Sequence, residues 1–248
     1  MISKFLYNMS NDGIPRIIHQ IWSETYRPLP SKFKLLSKTW RHHYSDWEYK
    51  FWDNEKMDYF INENFPQYIN IYKRFPFDVQ RWDSIRYLIL HKMGGMYVDF
   101  DYESIRPMDE LIREKSCCFA QEPQIHCKIF SKNIMFTNAL MACIPEHPFI
   151  EKIIETIFSE EMINYDTSIK ELCVLNTTGP WKLIDLYESL NKSEKKGIYL
   201  IPNQYVTPFS GTQASQFRSG VINAELEKCI ENSYAIHYFF GEWGNNGK

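Results

Sequence analysis

The sequence lacks long hydrophobic runs, and glycine is scarce, at 10 of 248 residues. No stretch approaches the roughly 18 consecutive apolar residues of a membrane-spanning helix, so none is predicted. Neither GxxxxGK(S/T) nor GxGxxG occurs, which excludes the commonest phosphate-binding loops. The low glycine content also argues against collagen-like and glycine-rich disordered proteins.

The sequence also lacks a large excess of positive or negative charge. It has 28 Lys and Arg and 31 Asp and Glu, which gives a net charge of −3. A general nucleic-acid binder needs a basic surface, so we expect no nucleic-acid partner. The six cysteines include no CxxC pair, and no signal peptide is visible. We therefore expect a reduced, cytoplasmic protein whose contact with a membrane, if any, is peripheral.

The overall composition is typical of a soluble globular protein, with 44% hydrophobic, 24% charged and 16% aromatic residues. Its length suits one large α/β domain. We expect a leader over residues 1–13, a single domain over 14–244 and a short tail over 245–248.

The spacing of apolar residues predicts alternating helices and strands. A helix over 78–93 ends at Gly94 and Gly95, and an apolar strand follows over 96–100; this α-to-β step is typical of an open, largely parallel sheet. The other predicted strands cover 14–22, 47–52, 117–121, 129–136, 198–202 and 234–240. The other predicted helices cover 31–43, 148–161 and 181–190, with one ending near 64 after a cap at 53 or 54, and 203–220 is loop-like.

Two carboxylates, Asp99 and Asp101, lie at the end of the predicted 96–100 strand. In an extended chain their side chains point to one face, roughly 6–7 Å apart. Oxygen donors there suit Mn²⁺ or Mg²⁺, because substrate phosphates can complete the coordination shell. The alternative is a pair of solvated acids at the start of a loop. The carboxyl edge of a parallel sheet, where α/β proteins bind ligands, favours the metal site.

The preceding helix carries a charged pair on its apolar face. At about 100° per residue, Asp83 and Arg86 fall within the arc of Val79, Trp82 and Ile89. Such a pair either forms a buried ion pair or lines a polar pocket. In a pocket, an accepting Asp and a donating Arg can together bind adjacent sugar hydroxyls.

Three further positions have two interpretations each. Trp22 ends the first predicted strand, where an indole could stack on a nucleobase or pack into the core. His237, in the last predicted strand, is either a third metal ligand or a buried core histidine. The loop at 177–180 faces a phosphate or sugar, or is a simple turn before the next helix.

The ordered motifs resemble glycosyltransferase family 32, the DXD-containing sugar transferases that include fungal outer-chain mannosyltransferases and bacterial capsular polysaccharide enzymes. More distantly they are similar to the glucosyltransferase domains of large clostridial toxins. The resemblance covers residues 14–244. The motifs that carry it are IPRIIHQIW at 14–22, DSIRY at 83–87, GGMYVDFD at 94–101, TGP at 178–180 and GEW at 241–243 after His237.

The resemblance implies a single Rossmann-like, nucleotide-sugar-binding domain of the GT-A type, with a mostly parallel central sheet and added helices. It also implies a retaining, metal-dependent glycosyltransferase that moves a sugar from a UDP- or GDP-sugar to a saccharide acceptor in a polysaccharide or glycan. Two alternatives stay open: a non-catalytic nucleotide- or carbohydrate-binding protein on the same fold, and a metal-dependent phosphoester hydrolase. We expect the acceptor to meet the segments at 122–135 and 203–220.

Carried over residue by residue, the resemblance places Trp22, with Ile21 before it, at the nucleotide sugar, where Trp22 would stack on the base. Asp83 and Arg86 would hold the donor sugar and act in catalysis. Asn138 resembles an asparagine that lies near that sugar.

The same carry-over implies a set of residues around the metal and the diphosphate. Asp101 would ligate Mn²⁺ or Mg²⁺ and act in catalysis, Asp99 would face the ribose and a metal-bound water, and His237 would lie on the metal side. Trp243 would reach the diphosphate. Glu242 departs from the family pattern, because a hydroxyl residue is usual there, and it either loses a phosphate contact or approaches the metal.

Overall fold

The computed structural model describes residues 13–25 and 27–241. Its strands are β1 (Ile17–Ile21), β2 (Glu48–Trp52), β3 (Gly95–Val98), β4 (Tyr102–Ser104), β5 (Cys117–Gln121), β6 (Phe136–Cys143), β7 (Tyr199–Ile201) and β8 (Ala235–His237). Its helices are α1 (Ser31–His43), α2 (Asn54–Asn64), α3 (Ile69–Arg74), α4 (Asp78–Met93), α5 (Asp109–Ile112), α6 (Gln124–Ile129), α7 (Pro148–Ile157), α8 (Glu160–Ile163), α9 (Lys170–Thr177), α10 (Pro180–Ser189), α11 (Lys192–Lys195), α12 (Asn203–Val206), α13 (Gly211–Arg218) and α14 (Ala224–Ile230), with a 3₁₀ turn at Pro66–Tyr68.

The central sheet has six strands in the order β2-β1-β3-β6-β5-β7, and β4 pairs with β8 in a separate two-stranded sheet. Within the central sheet β6 is antiparallel to both neighbours, and the other pairings are parallel. The sheet is therefore mostly parallel, as predicted. The carboxyl ends of β1, β3 and β5 meet at one edge, which is where open α/β sheets bind ligands.

Helices cover both faces of this sheet. Alternate residues along a strand point to opposite sides, so Tyr97 packs with one apolar cluster while Met96 and Val98 pack with the other. The first cluster includes residues of α2, α4, α7 and α10, and the second includes residues of α1, α5 and α12. Both faces of β6 are buried, which explains the continuous apolar run over 139–143 in its second half.

The turn from α4 to β3 depends on two glycines with positive φ. Gly94 has φ 63° and Gly95 has φ 95°. A Cβ on Gly95 would lie 2.7 Å from the Ile17 carbonyl oxygen, and one on Gly94 would lie 2.7 Å from the Pro145 ring. Glycine is required here both by the backbone conformation and by the close approach of β1. This turn positions the residues that follow β3.

Several predicted elements match the structure, and others were wrong. The predicted bounds of α1, α4 and β5 are those observed. The strand predicted over 129–136 is wrong, because α6 ends there and β6 starts only at residue 136. The prediction of a loop over residues 203–220 is also wrong, because α12 and α13 lie in that segment. The single helix predicted over 148–161 is instead α7 followed by α8.

The extended conformation predicted for Asp99 and Asp101 is wrong as well. β3 ends at Val98, and the next residues form a turn in which the Tyr102 N–H donates to the Asp99 carbonyl at 3.2 Å. The turn starts the connection to β4, which lies in the smaller sheet with β8. Alternation along a strand therefore does not set the relative directions of the two carboxylates.

Among the helices in the described ranges, none is long and apolar enough to cross a membrane. The six cysteines all lie in the described residues and are free thiols.

Candidate active site

A cavity of about 670 Å³ opens at the carboxyl edge of the central sheet. Residues from β1, α4, the turn after β3 and the end of β8 line it, together with residues of α6, α10 and α13. The predicted site residues that lie in the described ranges all line this cavity, and they are Ile21, Trp22, Asp83, Arg86, Asp99, Asp101, Asn138 and His237. Trp243 and Glu242 lie outside the described residues, so their roles stay predictions.

Trp22 follows β1 at one end of the cavity and is half-buried. Its ring makes edge contacts with Phe33 at 5.5 Å and Phe100 at 6.1 Å between centroids. Its Nε1–H donates to the Arg27 carbonyl at 3.2 Å, and the Arg27 guanidinium lies 5.6 Å from the ring centroid. The indole is held at its edges beside the cavity.

Asp83 and Arg86 form a buried ion pair that also lines the cavity, so both interpretations offered by the helical pattern hold at once. Arg86 Nη2 lies 3.0 Å from Asp83 Oδ1, and the two residues are 6% and 5% exposed. Arg86 Nη1 lies 3.3 Å from Asp99 Oδ1, so one guanidinium contacts two carboxylates. Burial raises the pKa of Asp83 to about 6, although Arg86 acts to lower it. The arginine is needed to keep two neighbouring carboxylates together in this buried site.

Asn138 completes the contacts of Asp83, and Thr178 and Tyr87 join the same network. The Asn138 amide donates to Asp83 Oδ1 at 3.1 Å and to the Tyr87 hydroxyl at 2.8 Å. The Thr178 hydroxyl donates to Asp83 Oδ2 at 3.1 Å, and the Tyr87 hydroxyl donates to the Thr178 carbonyl at 2.7 Å. The TGP motif thus meets α4 here. Tyr87 carried no role in the sequence analysis, although it lies one turn from Asp83 on the same helix.

Asp99 is held by two neighbours. The Tyr97 hydroxyl donates to Asp99 Oδ1 at 2.5 Å, and Arg86 approaches the same oxygen. The Arg86 guanidinium also lies over the Tyr97 ring, 4.5 Å from its centroid. Burial raises the pKa of Asp99, and Arg86 acts in the opposite direction. Tyr97 is a second residue that sequence reasoning missed, although its position two residues before Asp99 was a signal.

Asp101, which directly precedes β4, faces His237 at the end of β8 in the smaller sheet. His237 Nε2 lies 3.3 Å from Asp101 Oδ1, and the Phe240 N–H donates to Asp101 Oδ2 at 3.0 Å. The His237 ring stacks on Tyr102 at 4.3 Å. Burial raises and His237 lowers the pKa of Asp101, with a net shift below its ordinary value. Burial lowers the pKa of His237, but Asp101 raises it, and the net shift is upward.

Asp101 and His237 could supply only part of the coordination shell of the predicted Mn²⁺ or Mg²⁺ ion. Carboxylate oxygens are the ligands that Mg²⁺ and Mn²⁺ prefer, and Asp101 is a carboxylate beside an imidazole. The Nδ1 atom of His237 is buried and has no hydrogen-bond partner in the described part of the chain. Across those same residues, no three His, Cys, Asp or Glu side chains form a cluster that could hold a metal ion. Most ligands of an ion at Asp101 would therefore come from a diphosphate and water.

The cavity is also lined by a second acid–histidine pair that sequence reasoning missed. Glu122 follows β5, and its Oε2 lies 2.6 Å from His126 Nδ1 in the first turn of α6. His126 Nε2 accepts the Gly211 N–H at 3.2 Å. Both side chains are about nine-tenths buried, and both line the cavity. The spacing of four residues was a signal, but it requires a helix where none was predicted.

Comparison with known proteins gives a family match. A family model described as the glycosyltransferase sugar-binding region containing the DXD motif matches residues 30–118. The chain is 30% identical to an uncharacterized glycosyltransferase of Acanthamoeba polyphaga mimivirus, over 79% of this chain and 73% of that protein.

The chain is also similar to yeast enzymes named for mannose transfer. It is 30% identical to inositol phosphoceramide mannosyltransferase 1 of Schizosaccharomyces pombe, over 59% of this chain and 43% of that protein. It is 25% identical to a mannosyl phosphorylinositol ceramide synthase of Saccharomyces cerevisiae, over 88% of this chain and 56% of that protein. The chain thus spans about half the length of these relatives.

Solved structures show the same fold. The PaToxG glycosyltransferase matches with a TM-score of 0.54 at 16% identity, covering 90% of each chain. The UDP-bound glycosyltransferase domain from the YGT toxin matches with a TM-score of 0.54 at 10% identity, covering 89% of each chain. The predicted GT-A type domain is confirmed.

Proposed function

The chain belongs to the family of DXD-containing glycosyltransferases, as its motifs indicated, and we propose that it transfers a sugar from a nucleotide diphosphate to a glycan or glycolipid. The observation that carries the proposal is one cavity that the Asp83–Arg86–Asp99 network lines together with Trp22 and the Asp101–His237 pair. Mannose is the proposed sugar, because yeast relatives are named mannosyltransferases.

In this proposal the nucleotide lies along the edge formed by β1 and β3. Trp22 stacks on the base, and Ile21 packs beside it. Asp99 faces the ribose, and its orientation is fixed by Tyr97 and Arg86. A UDP-bound neighbour of the same fold supports a nucleoside diphosphate ligand. UDP and GDP are both candidates, and mannose transfer favours testing GDP first.

The donor sugar lies over the buried network of α4. The Asp83 carboxylate accepts from sugar hydroxyls and Arg86 donates to them, while Asn138 and Thr178 hold Asp83 in place. Charged groups whose orientation is already fixed do not need to reorganise as charge develops in the reaction. Asp83 is also positioned to stabilise positive charge on the sugar. We propose retention of the anomeric configuration, on the resemblance alone.

Asp101 and His237 are the proposed protein ligands of Mn²⁺ or Mg²⁺, together with the diphosphate. When bound, the ion would offset the negative charge that builds up on the departing diphosphate. Asp101 is held for this role by the Phe240 N–H, which leaves its other oxygen towards His237. Burial does not raise the pKa of Asp101 overall, because His237 lowers it, so this carboxylate is ionised at neutral pH as an unperturbed aspartate is.

The test is thermal unfolding with UDP and with GDP, each in Mn²⁺ and in EDTA. A ligand at about 100 times its Kd stabilises the folded protein by about 2.7 kcal/mol, so a clear rise in Tm is expected with one nucleotide and Mn²⁺. In Asp101→Asn the Mn²⁺-dependent part of the rise should disappear. The amide oxygen can still accept the Phe240 N–H, so the variant should fold.

The matched control is Asp58→Asn, because Asp58 is an exposed carboxylate on α2. It should keep the full Mn²⁺-dependent rise. A rise that Asp101→Asn retains would contradict the assignment of this residue to the metal. Absence of any rise in the wild-type protein would reject nucleotide binding, and a non-catalytic carbohydrate-binding protein would then be tested first. Incubation of GDP-mannose with the protein, followed by NMR of the released sugar or product, tests transfer and its stereochemistry.

A further inference from the structure

The strand order divides the cavity edge into two halves. Trp22 follows β1 and Asp99 follows β3, whereas Glu122 follows β5, which lies beyond β6. Neighbouring strands are about 4.8 Å apart, so three strand spacings separate β1 from β5 by about 14 Å. Trp22 and Asp99 lie in the half that contains β1 and β3, and Asn138 lies on β6, between this half and β5. None of the proposed donor residues lies on β5, yet residues at the end of β5 line the same cavity.

Glu122 is fixed in position by His126. A backbone N–H can only donate, so the Gly211 N–H makes His126 Nε2 an acceptor and leaves the ring proton on Nδ1. That proton is then donated to Glu122 Oε2 at 2.6 Å. The rings of Phe130 and Phe239 pack against His126 with centroids 6.3 Å and 5.5 Å away. The imidazole is thus held as an Nδ1–H donor to the carboxylate.

The second oxygen of Glu122 has no partner. Within the described ranges of the chain, the only hydrogen bond of this side chain is the one from His126. The side chain is nine-tenths buried and lines the cavity, and its second oxygen is not among the fully buried, unpaired atoms of the described residues, so this oxygen is open to the cavity. Such an oxygen accepts hydrogen bonds only, so it would bind a ligand that carries a donor, such as a sugar hydroxyl.

Two aromatic side chains flank the same half of the cavity. Phe130, which follows α6, and Trp181, in the first turn of α10, lie with ring centroids 5.6 Å apart at 61°. Both line the cavity, and Phe130 is 42% exposed. Apolar and aromatic walls with a few fixed polar groups are the usual composition of small-molecule sites. Here the rings can cover the C–H face of a sugar whose hydroxyl meets Glu122.

We propose that the half of the cavity formed by Glu122, His126, Phe130 and Trp181 is the binding site of the acceptor saccharide, and that the Glu122 carboxylate accepts a hydrogen bond from an acceptor hydroxyl. This inference rests on the proposed transferase function. His126 is a positioning residue, because it reaches the acceptor only through Glu122.

The test compares transfer with hydrolysis, in which water takes the place of the acceptor. The wild-type protein is given GDP-mannose or a UDP-hexose with Mn²⁺, and the acceptor probe is methyl α-mannoside or inositol phosphoceramide in detergent, whichever it glycosylates. In Glu122→Gln the ratio of transfer to hydrolysis at subsaturating acceptor should fall about tenfold or more, the effect of weakening a hydrogen bond to a charged group. The acceptor KM should rise more than kcat falls.

Glu122→Gln should fold, since its amide oxygen can still accept from His126. In His126→Phe we expect a smaller change in the same direction, again in the acceptor KM. Glu227→Gln, an exposed carboxylate on α14, is the matched control and should leave the ratio unchanged. An equal loss of transfer and hydrolysis in Glu122→Gln would place Glu122 at the donor or the metal and overturn the proposal, as would an unchanged ratio. Absence of both transfer and hydrolysis in the wild-type protein would instead reject the proposed function, and the acceptor role with it.

Discussion

Arg86 joins two carboxylates that repel each other, and this makes it the residue on which the geometry of the cavity depends. Its guanidinium reaches Asp83 and Asp99 from separate nitrogens, while its plane lies over the Tyr97 ring. The planar fork of an arginine allows all three contacts at once. A lysine could keep the charge but could make only part of this set.

Arg86→Lys should therefore reduce transfer while leaving nucleotide binding in place. The loss of one charge-assisted hydrogen bond, about 1.5–3 kcal/mol, predicts a fall in kcat/KM of about 10- to 100-fold. The nucleotide-induced rise in Tm should persist, because the Tyr97 hydroxyl still holds Asp99 at the ribose, and the base and diphosphate contact other residues in the proposed arrangement. Steady-state kinetics and thermal unfolding of the same sample measure both effects.

The control for Arg86→Lys is Arg113→Lys, an exposed arginine after α5. This variant should change neither kcat/KM nor the nucleotide-induced rise in Tm. If Arg86→Lys also removed the nucleotide-induced rise, the ion pair would belong to the structural core rather than to the sugar site.

Residues of the site could be found in the sequence only where local spacing brings them together. The helical pattern of α4 placed Asp83 and Arg86 on the apolar face, and the structure buries both. Their contacts with Asn138 and Thr178 join residues about 50 to 95 positions apart, and no local pattern predicts such pairs. Glu122 was missed for a different reason, because its partner histidine lies in a helix that the sequence did not reveal.

At the scale of elements, the step from α4 to β3 was predictable because its signals are backbone constraints. Gly94 and Gly95 have the positive φ values that favour glycine. By contrast, residues 129–136 contain spaced apolar side chains that mimic a strand, yet the chain forms α6 and a loop before β6. Helices as short as α6 and α12 carry too few turns to show a helical period.

Gly95→Ala should destabilise the fold more than Gly220→Ala, although φ is positive at both positions. A Cβ at Gly95 would lie 2.7 Å from the Ile17 carbonyl oxygen, whereas a Cβ at Gly220 would meet nothing within 4 Å. Backbone strain alone should cost about 1 kcal/mol at Gly220. Overpacking against β1 should add about 1–2 kcal/mol at Gly95.

Urea unfolding measures this difference as a shift in midpoint at an unchanged m-value. Gly220 serves as the control, because it shares the backbone conformation and lacks the contact. Equal losses in the two variants would mean that the chain relaxes around the new Cβ, and that β1 does not constrain the turn before Asp99.

At the scale of the whole molecule, one buried histidine links the sheet to this turn. The Trp52 Nε1–H of β2 donates to His19 Nδ1 at 3.1 Å, and His19 Nε2 lies 3.0 Å from the Gly94 carbonyl oxygen. The ring therefore carries its proton on Nε2 and is neutral. Burial lowers the pKa of His19 from 6.5 to about 4. Unfolding below pH 6.5 must then take up a proton at this position, so the histidine makes stability fall as the pH decreases from 6.5 to about 4.

The size of this effect follows from the pKa shift, since each unit of pKa corresponds to about 1.4 kcal/mol. By pH 4 the histidine should lower the free energy of unfolding by about 3 kcal/mol. Asp83 acts in the opposite direction, because its raised pKa of about 6 makes the folded state gain a proton first as the pH falls. The free energy of unfolding as a function of pH contains both effects. The His19→Gln variant is therefore compared with the wild type at each pH. The variant should be less stable at pH 7, and its deficit should shrink by about 3 kcal/mol between pH 7 and pH 4.

A deficit of constant size in His19→Gln would mean that the folded protein binds a proton at His19 as readily as the unfolded chain does. The ring would then have access to water, and the contact between β1, β2 and the turn at Gly94 would open without global unfolding. Because the residues after β3 form the proposed metal and ribose sites, such opening would also predict weaker nucleotide binding as the pH falls from 6.5. A buried, neutral His19 instead predicts that the cavity keeps its shape until the whole domain unfolds.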